Sequence, residues 1–201
     1  MSINVAIYGN HVTTKLLELD VEQLRDSAYS MRDNIAKKFN VDLNISPNAA
    51  MLSSLYHEYN LFMYPYPGFH DLYEQIRDTF HELNDEKDLK YYIQSWVNFY
   101  DKGQFIDWHI HRNTPAKAWH GFYCVDCEPS HTSYQLNNGI QFDVESKNNL
   151  LVISKSGEDR HRTWPWQGDS PRITIAFDIV PQFKLNPNTC PIDYTNHWVP
   201  I

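Results

Sequence analysis

Imidazole is both a ligand for transition metals and a base that titrates near neutrality, and this chain sets two of its 10 His a single residue apart, in His109-Ile-His111. Alternate residues of an extended strand share a face, so both rings of that triplet project the same way. A third, His161, opens a later strand-like run. Three imidazoles converging inside a small β-barrel make a facial metal site with open coordination positions opposite. Ten His also produce a close pair by chance, so the spacing by itself leaves a structural pair as the alternative.

The second feature with chemical content is Arg172-Ile-Thr174, at the head of RITIAFDI. Arg172 is a cation at the edge of an otherwise apolar run, and an unpaired buried charge costs roughly 3–5 kcal/mol. Its planar fork suits a carboxylate gripped at both oxygens, and the Thr174 hydroxyl, two residues along on the same face, is placed to donate to the same group. A small acid bound next to a metal would meet that need; an internal salt bridge with one of the 25 acidic residues would meet it equally.

These residues need a scaffold, and the chain writes one in two halves. From Asp20, placed as an N-cap, Val21, Leu24, Ala28, Met31 and Ile35 recur at helical spacing, and Phe69, Leu72, Ile76, Phe80 and Leu83 repeat the pattern after PYPGF. The stretch 40–68 reads as loops with a short helix. Strand-like runs follow at 91–100, 105–111, 119–125, 139–144, 150–154, 160–164 and 173–180, separated by Gly, Asn, Asp and Pro. The expected fold is mainly β with N-terminal helices, an α+β arrangement in which a double-stranded β-helix of the jelly-roll or cupin kind is braced by helices. Residues 1–201 read as a single domain: a helical bracing region 1–90, a β core 91–180 and an irregular tail 181–201.

Composition narrows the classes. At 42% hydrophobic the chain can bury a core, and its apolar runs are far shorter than the roughly 20 residues of a membrane span. No basic segment leads into an apolar one at the N-terminus, so the expected location is cytoplasmic. A net charge of -8 without a Lys/Arg run speaks against nucleic acid as a partner. Of three Cys only Cys124 and Cys127 are close, in GFYCVDC; with no second CxxC they read as reduced structural thiols, a redox or zinc pair being the alternative.

The order W-His109-x-His111, GFYCV, NNGIQF, LLVISKSGEDR-His161 and P-Arg172-I-Thr174-IAF resembles the iron(II) and 2-oxoglutarate-dependent dioxygenases, in their prolyl-hydroxylase-like branch. The match runs from about Ser95 to Ile179. The family pattern is a His-x-Asp/Glu pair, a distal His and an Arg-x-Ser/Thr beyond it. The resemblance therefore implies Fe(II) held by His109, His111 and His161, with His111 standing where most members carry a carboxylate; Asp107 and Asn113 are the other donors nearby. It implies 2-oxoglutarate bound by Arg172 and Thr174, with Tyr100 in WVNFYDKG matching a tyrosine that binds the cosubstrate carboxylate.

The implied activity is hydroxylation of a C–H bond of an amino acid, peptide or other small substrate, with release of succinate and CO2 and with ascorbate assisting. Small-molecule or peptide substrates and a homodimer are the partners expected. Nucleic-acid dealkylating members carry a second arginine where this chain has Asp178, against a base-repair role. Trp119, His120, Trp164 and Trp166 are expected to rim the pocket, or to serve as core or lid. The competing classes are a cupin-type three-His metalloprotein that does not use 2-oxoglutarate and a non-catalytic binding protein on the same fold.

Overall fold

The structure is a computed structural model that describes residues 5–8, 12–43, 55–111, 117–157, 159–185 and 197–201. Two helices, α1 (Val21–Phe39) and α2 (Phe69–Leu83), match the two apolar periodicities. Asp20 caps α1 by accepting a hydrogen bond from the Gln23 amide at 3.0 Å, and Asn40 closes it in the left-handed region. Between the helices, residues 61–63 form one short 3-10 turn.

The strands are β1 (Val5–Tyr8), β2 (Val12–Leu16), β3 (Tyr91–Tyr100), β4 (Trp119–Asp126) and β5 (Ser130–Leu136). β6 (Gln141–Ser146), β7 (Leu150–Lys155), β8 (Asp159–Thr163), β9 (Arg172–Pro181) and β10 (Val199–Pro200) follow. They form a seven-stranded sheet in the order β1-β2-β7-β4-β9-β3-β10 and a three-stranded sheet β6-β5-β8, all pairs antiparallel.

Alternation along the large sheet sorts its side chains between two interiors. Ile173, Ile175, Phe177 and Ile179 of β9, with Tyr91, Ile93, Val97 and Phe99 of β3, pack on Leu24, Met31, Leu72, Ile76 and Phe80 of the helices. The opposite face of β9 carries Arg172, Thr174, Ala176 and Asp178. That face looks toward the small sheet, as a second cluster joins Val12, Phe122, Cys124 and Val152 to Tyr134, Phe142 and Val144. The result is a jelly roll braced by helices on its outer face, with a polar stripe of β9 turned inside.

Four sequence expectations change. The bracing region 1–90 also supplies β1 and β2, which extend the large sheet beyond β7. The tail 181–201 is not wholly irregular: residues 182–184 make a 3-10 turn, and β10 pairs with Ile93 and Tyr92 at the sheet edge. The run 105–111 is no strand. It meets β8 through the isolated bridge of His109 with His161 and one further backbone bond, from the Thr163 amide to the Ile106 carbonyl at 3.0 Å, while the Asp107 carboxylate takes its own neighbour's amide, that of Trp108, at 2.7 Å and the Thr163 hydroxyl takes the Ile106 amide at 2.8 Å. β5, SHTSYQL, is a strand whose polar outer residues hid its inward Thr132, Tyr134 and Leu136.

Gly121 of β4 lies where the sheet has no room for a side chain. A Cβ there would stand 2.2 Å from the Val152 carbonyl oxygen and 2.5 Å from the Phe177 ring. Since the first of these is backbone and cannot rotate away, Gly121→Ala is expected to destabilise by at least the upper end of the roughly 1–3 kcal/mol of overpacking. A thermal melt of the variant within a degree of the parent would refute this.

Candidate active site

Backbone pairing brings the first two histidines together. His109 and His161 exchange both amide-to-carbonyl hydrogen bonds, at 3.0 and 3.1 Å, which sets their side chains on one face with ring centroids 4.2 Å apart. His111 follows beyond that pair, its ring 5.7 Å from His109 and 5.4 Å from His161. One nitrogen from each of the three lies within 4.8 Å of the others. The three imidazoles singled out in the sequence thus meet, although the segment carrying two of them is not a strand.

Behind each ring stands an oxygen. His109 Nδ1 is 2.9 Å from the Asp107 carbonyl, His111 Nδ1 is 2.9 Å from Asp178 Oδ1, and His161 Nδ1 is 3.4 Å from Asp159 Oδ2. The Asp107 carbonyl only accepts, so His109 Nδ1 carries the proton and its Nε2 keeps the lone pair, while the carboxylates of Asp178 and Asp159 stand beside the Nδ1 atoms of His111 and His161 at ion-pair distance. Histidines that ligate metals have this arrangement, in which the partner oxygen fixes tautomer and orientation.

A fourth imidazole belongs to the cluster. His120 on β4 stacks on His111 at 4.3 Å and on His161 at 4.8 Å, and its Nε2 is 3.1 Å from Asp159 Oδ1. His120, Asp159 and His161 therefore form a second group of close donors that shares His161 with the first. Asp159 lies between the two rings, hydrogen-bonded through Oδ1 to His120 and with Oδ2 at 3.4 Å from His161 Nδ1.

Burial and neighbouring charge pull these groups apart in acidity. Burial lowers His161 well below the usual imidazole range, and the other three rings add to it. Burial also lowers His109. For His111 burial acts downward too, but the charge and hydrogen bond of Asp178 outweigh it and the value is raised. Asp159 is held far below the carboxylate range because hydrogen bonds from His120 and His161 exceed the cost of burial.

The signs give a pH dependence. Histidines of the unfolded chain protonate near about pH 6.5, whereas His161 and His109 stay neutral there, so the unfolded state takes up more protons and stability drops as pH falls below that value. His111 contributes in the opposite sense, with stability complete below about 6.5 and lost as pH rises through its raised folded value. Two lowered groups against one predict that the metal-free protein melts lower at about pH 5.5 than at about pH 7.5, and that His161→Gln narrows the gap. Circular-dichroism melts at both values check this; an equal gap in the variant contradicts it.

Arg172 occupies the far part of the same interior. It is 2% exposed, donates from Nε to Ser130 Oγ at 3.1 Å and lies 5.4 Å above the Tyr100 ring. Among the described residues no Asp or Glu pairs with it. The Thr174 hydroxyl accepts from Asn98 Nδ2 at 3.4 Å. Tyr134, fully buried, links the two ends: its ring is 5.5 Å from that of His161, and its phenol, raised well above the usual range by burial and by Asp159 and Cys124, is drawn back by Arg172.

Cys124 and Cys127 line this end as free, buried thiols. Three residues apart, they would face opposite ways on a regular strand, but a bulge between Cys124 and Asp126 turns both inward. Cys190 and Asn113 lie outside the described residues. Of the expected rim, Trp119 is buried in the helix-side core, Trp166 is buried beside Tyr100 and His120 is inside the cluster, while Trp164 is exposed. Sequence reasoning missed Asp159 and Tyr134 as site residues and left His120 open between the rim and the core. The signal for Asp159 was Asp159-x-His161, two alternate residues facing inward on one strand.

No protein-family model matches the chain, and no curated protein matches it. Among solved structures, it is similar to a prolyl-4-hydroxylase of Pseudomonas putida, at 17% identity and a TM-score of 0.56 over 83% of this chain and 87% of that one. It is similar also to the non-heme monooxygenase ThoJ in complex with nickel, at 10% identity and a TM-score of 0.55, covering 90% and 74%. A 2OG-Fe(II) oxygenase family oxidoreductase of Burkholderia pseudomallei matches at 11% identity and a TM-score of 0.48 over 57% of this chain, which spans 58% of that one. No helix among the described residues is long and apolar enough to cross a membrane. At these identities the likeness establishes the fold, and the chain is a double-stranded β-helix of the kind on which the prolyl-4-hydroxylase and the non-heme monooxygenase are built.

Proposed function

We propose that this protein is an Fe(II)- and 2-oxoglutarate-dependent oxygenase that hydroxylates a C–H bond of an amino acid, a peptide or another small substrate. His109, His111 and His161 are the metal ligands, and Arg172, with Thr174 and Tyr100, holds the far carboxylate of the cosubstrate. One observation carries the reading: a single interior contains both a three-imidazole cluster and a buried guanidinium with no carboxylate partner among the described residues.

The residues fit these groups. Three Nδ1 atoms each faced by an oxygen turn the Nε2 sides of the rings toward a borderline metal, the donor type that suits iron. A 2% exposed cation stacked on Tyr100 is a costly arrangement unless an anion arrives, and its fork matches a carboxylate. Bound Fe(II), 2-oxoglutarate and oxygen supply the oxidising power, with succinate and CO2 as coproducts. The chain's part is geometric. Arg172 fixes one end of the cosubstrate by charge and direction, Thr174 shifts its hydroxyl from Asn98 toward the same carboxylate, and Tyr134 walls the space between guanidinium and imidazoles. Asp159 holds His161 and His120 in register. The buried walls of β4, β9 and β5 keep bulk water from the reacting centre.

The test is an anaerobic Fe(II) titration with and without 2-oxoglutarate, monitored for a metal-to-ligand charge-transfer band in the visible. A band that requires both components is expected, as is slow succinate formation once oxygen is admitted with ascorbate. Stoichiometric metal without a band or succinate would favour the cupin-type metalloprotein, and no metal binding would favour the non-catalytic protein.

A further inference from the structure

His109 and His111 reach the cluster by different means. His109 is fixed by two backbone hydrogen bonds to His161 and by its own contact with the Asp107 carbonyl. His111 lies two residues beyond that bridge, outside the pair that fixes His109. Two side chains from the large sheet meet it instead. Asp178 of β9 stands 2.9 Å from Nδ1, and His120 of β4, directly opposite Asp178 in the strand register, stacks on the ring at 4.3 Å and 21°.

We propose that Asp178, with the His120 ring packed on the imidazole, is the positioning residue that makes His111 a metal ligand. This rests on the metal reading given above and extends it to a residue outside the ligand set. A ligand triad of neutral imidazoles leaves the full charge of a divalent ion in a low-dielectric interior, where a carboxylate ligand would have offset part of it. Asp178 returns that negative charge just behind the ring, its Oδ1 at 2.9 Å from Nδ1, and this contact aims Nε2. Its position favours this role: Asp178 ends the inward stripe Arg172, Thr174, Ala176, Asp178, so one strand presents a cation at the cosubstrate end and an anion at the metal end.

The experiment is an anaerobic Co(II) titration of the parent, Asp178→Ala and Asp178→Asn, read from the ligand-field spectrum, with melts of the metal-free proteins alongside. Asp178→Ala is expected to weaken Co(II) binding by about 10–100-fold and to change the ligand-field bands, on the scale of a lost partner behind a ligating histidine. Asp178→Asn, whose amide oxygen still accepts from Nδ1 but carries no charge, should lose less and keep bands nearer the parent's. The metal-free variants should still melt cooperatively, so that the loss is read on folded protein, and a graded return of affinity and bands in Asp178→Asn is what a purely structural role would not give. Parental affinity in either variant overturns the proposal while the metal reading stands; a parent protein that takes up no Co(II) or Fe(II) overturns both.

Discussion

Arg172→Leu should abolish 2-oxoglutarate binding to the iron-loaded protein while its melting temperature holds or rises. The guanidinium is 2% exposed, and among the described residues Ser130 Oγ at 3.1 Å, the Tyr100 ring and the thiols of Cys124 and Cys127 lie near it while no carboxylate pairs with it. Burial raises Cys127, but the hydrogen bond from Cys124 and the charge of Arg172 together bring it below the usual thiol value, so the cation already polarises what lies near it. Removing a buried cation that has no carboxylate partner among the described residues deletes a desolvation cost, and leucine restores packing. Arg172→Lys keeps the charge but not the fork, and its affinity for 2-oxoglutarate should fall by about 1–3 kcal/mol, the scale of a charged hydrogen bond, with iron binding intact. The charge-transfer band reports the cosubstrate, and a thermal melt reports the fold. Unchanged 2-oxoglutarate affinity with a clear fall in melting temperature would mean that Arg172 is a structural cation.

His161→Ala should eliminate stoichiometric Fe(II) binding, a loss exceeding the roughly 10–100-fold expected for residues that only support a ligand. His161 sits at the centre of the cluster. Its ring is within 5.5 Å of those of His109, His111, His120 and Tyr134, and it belongs to both groups of close donors. Its strand holds it twice, through Tyr134 on β5 and through the backbone pair with His109. His111→Ala separates the two groups: it should also weaken binding severely if the imidazole triad is the seat. Metal retained in His111→Ala but lost in both His161→Ala and His120→Ala would move the seat to His120, Asp159 and His161.

The residues of this site were legible to unequal degrees, for reasons that lie in how each is positioned. Helices α1 and α2 and strands β3 and β9 were readable because burial on one face writes a period of 3.6 or 2 into the residues themselves. His109, His111, His161 and Arg172 stood out because chemical type and short spacing are local properties. The run 105–111 misled, since alternation was present but Asp107 and Thr163 captured the amides that a strand would have paired. β5 escaped because its outer face is as polar as a loop.

What the sequence determined by itself was the inventory: two amphipathic helices, most of the strands, three imidazoles and an inward arginine. Only the tertiary structure decided which oxygen stands behind His111 and His120, because Asp178 meets the first and Asp159 the second across contacts that no local period encodes. It decided, too, that Arg172 has no carboxylate among the described residues, and that a bulge turns both thiols toward it. Local pattern reports how each residue is buried; pairing across strands, fixed by the whole chain's register, sets what it is buried against.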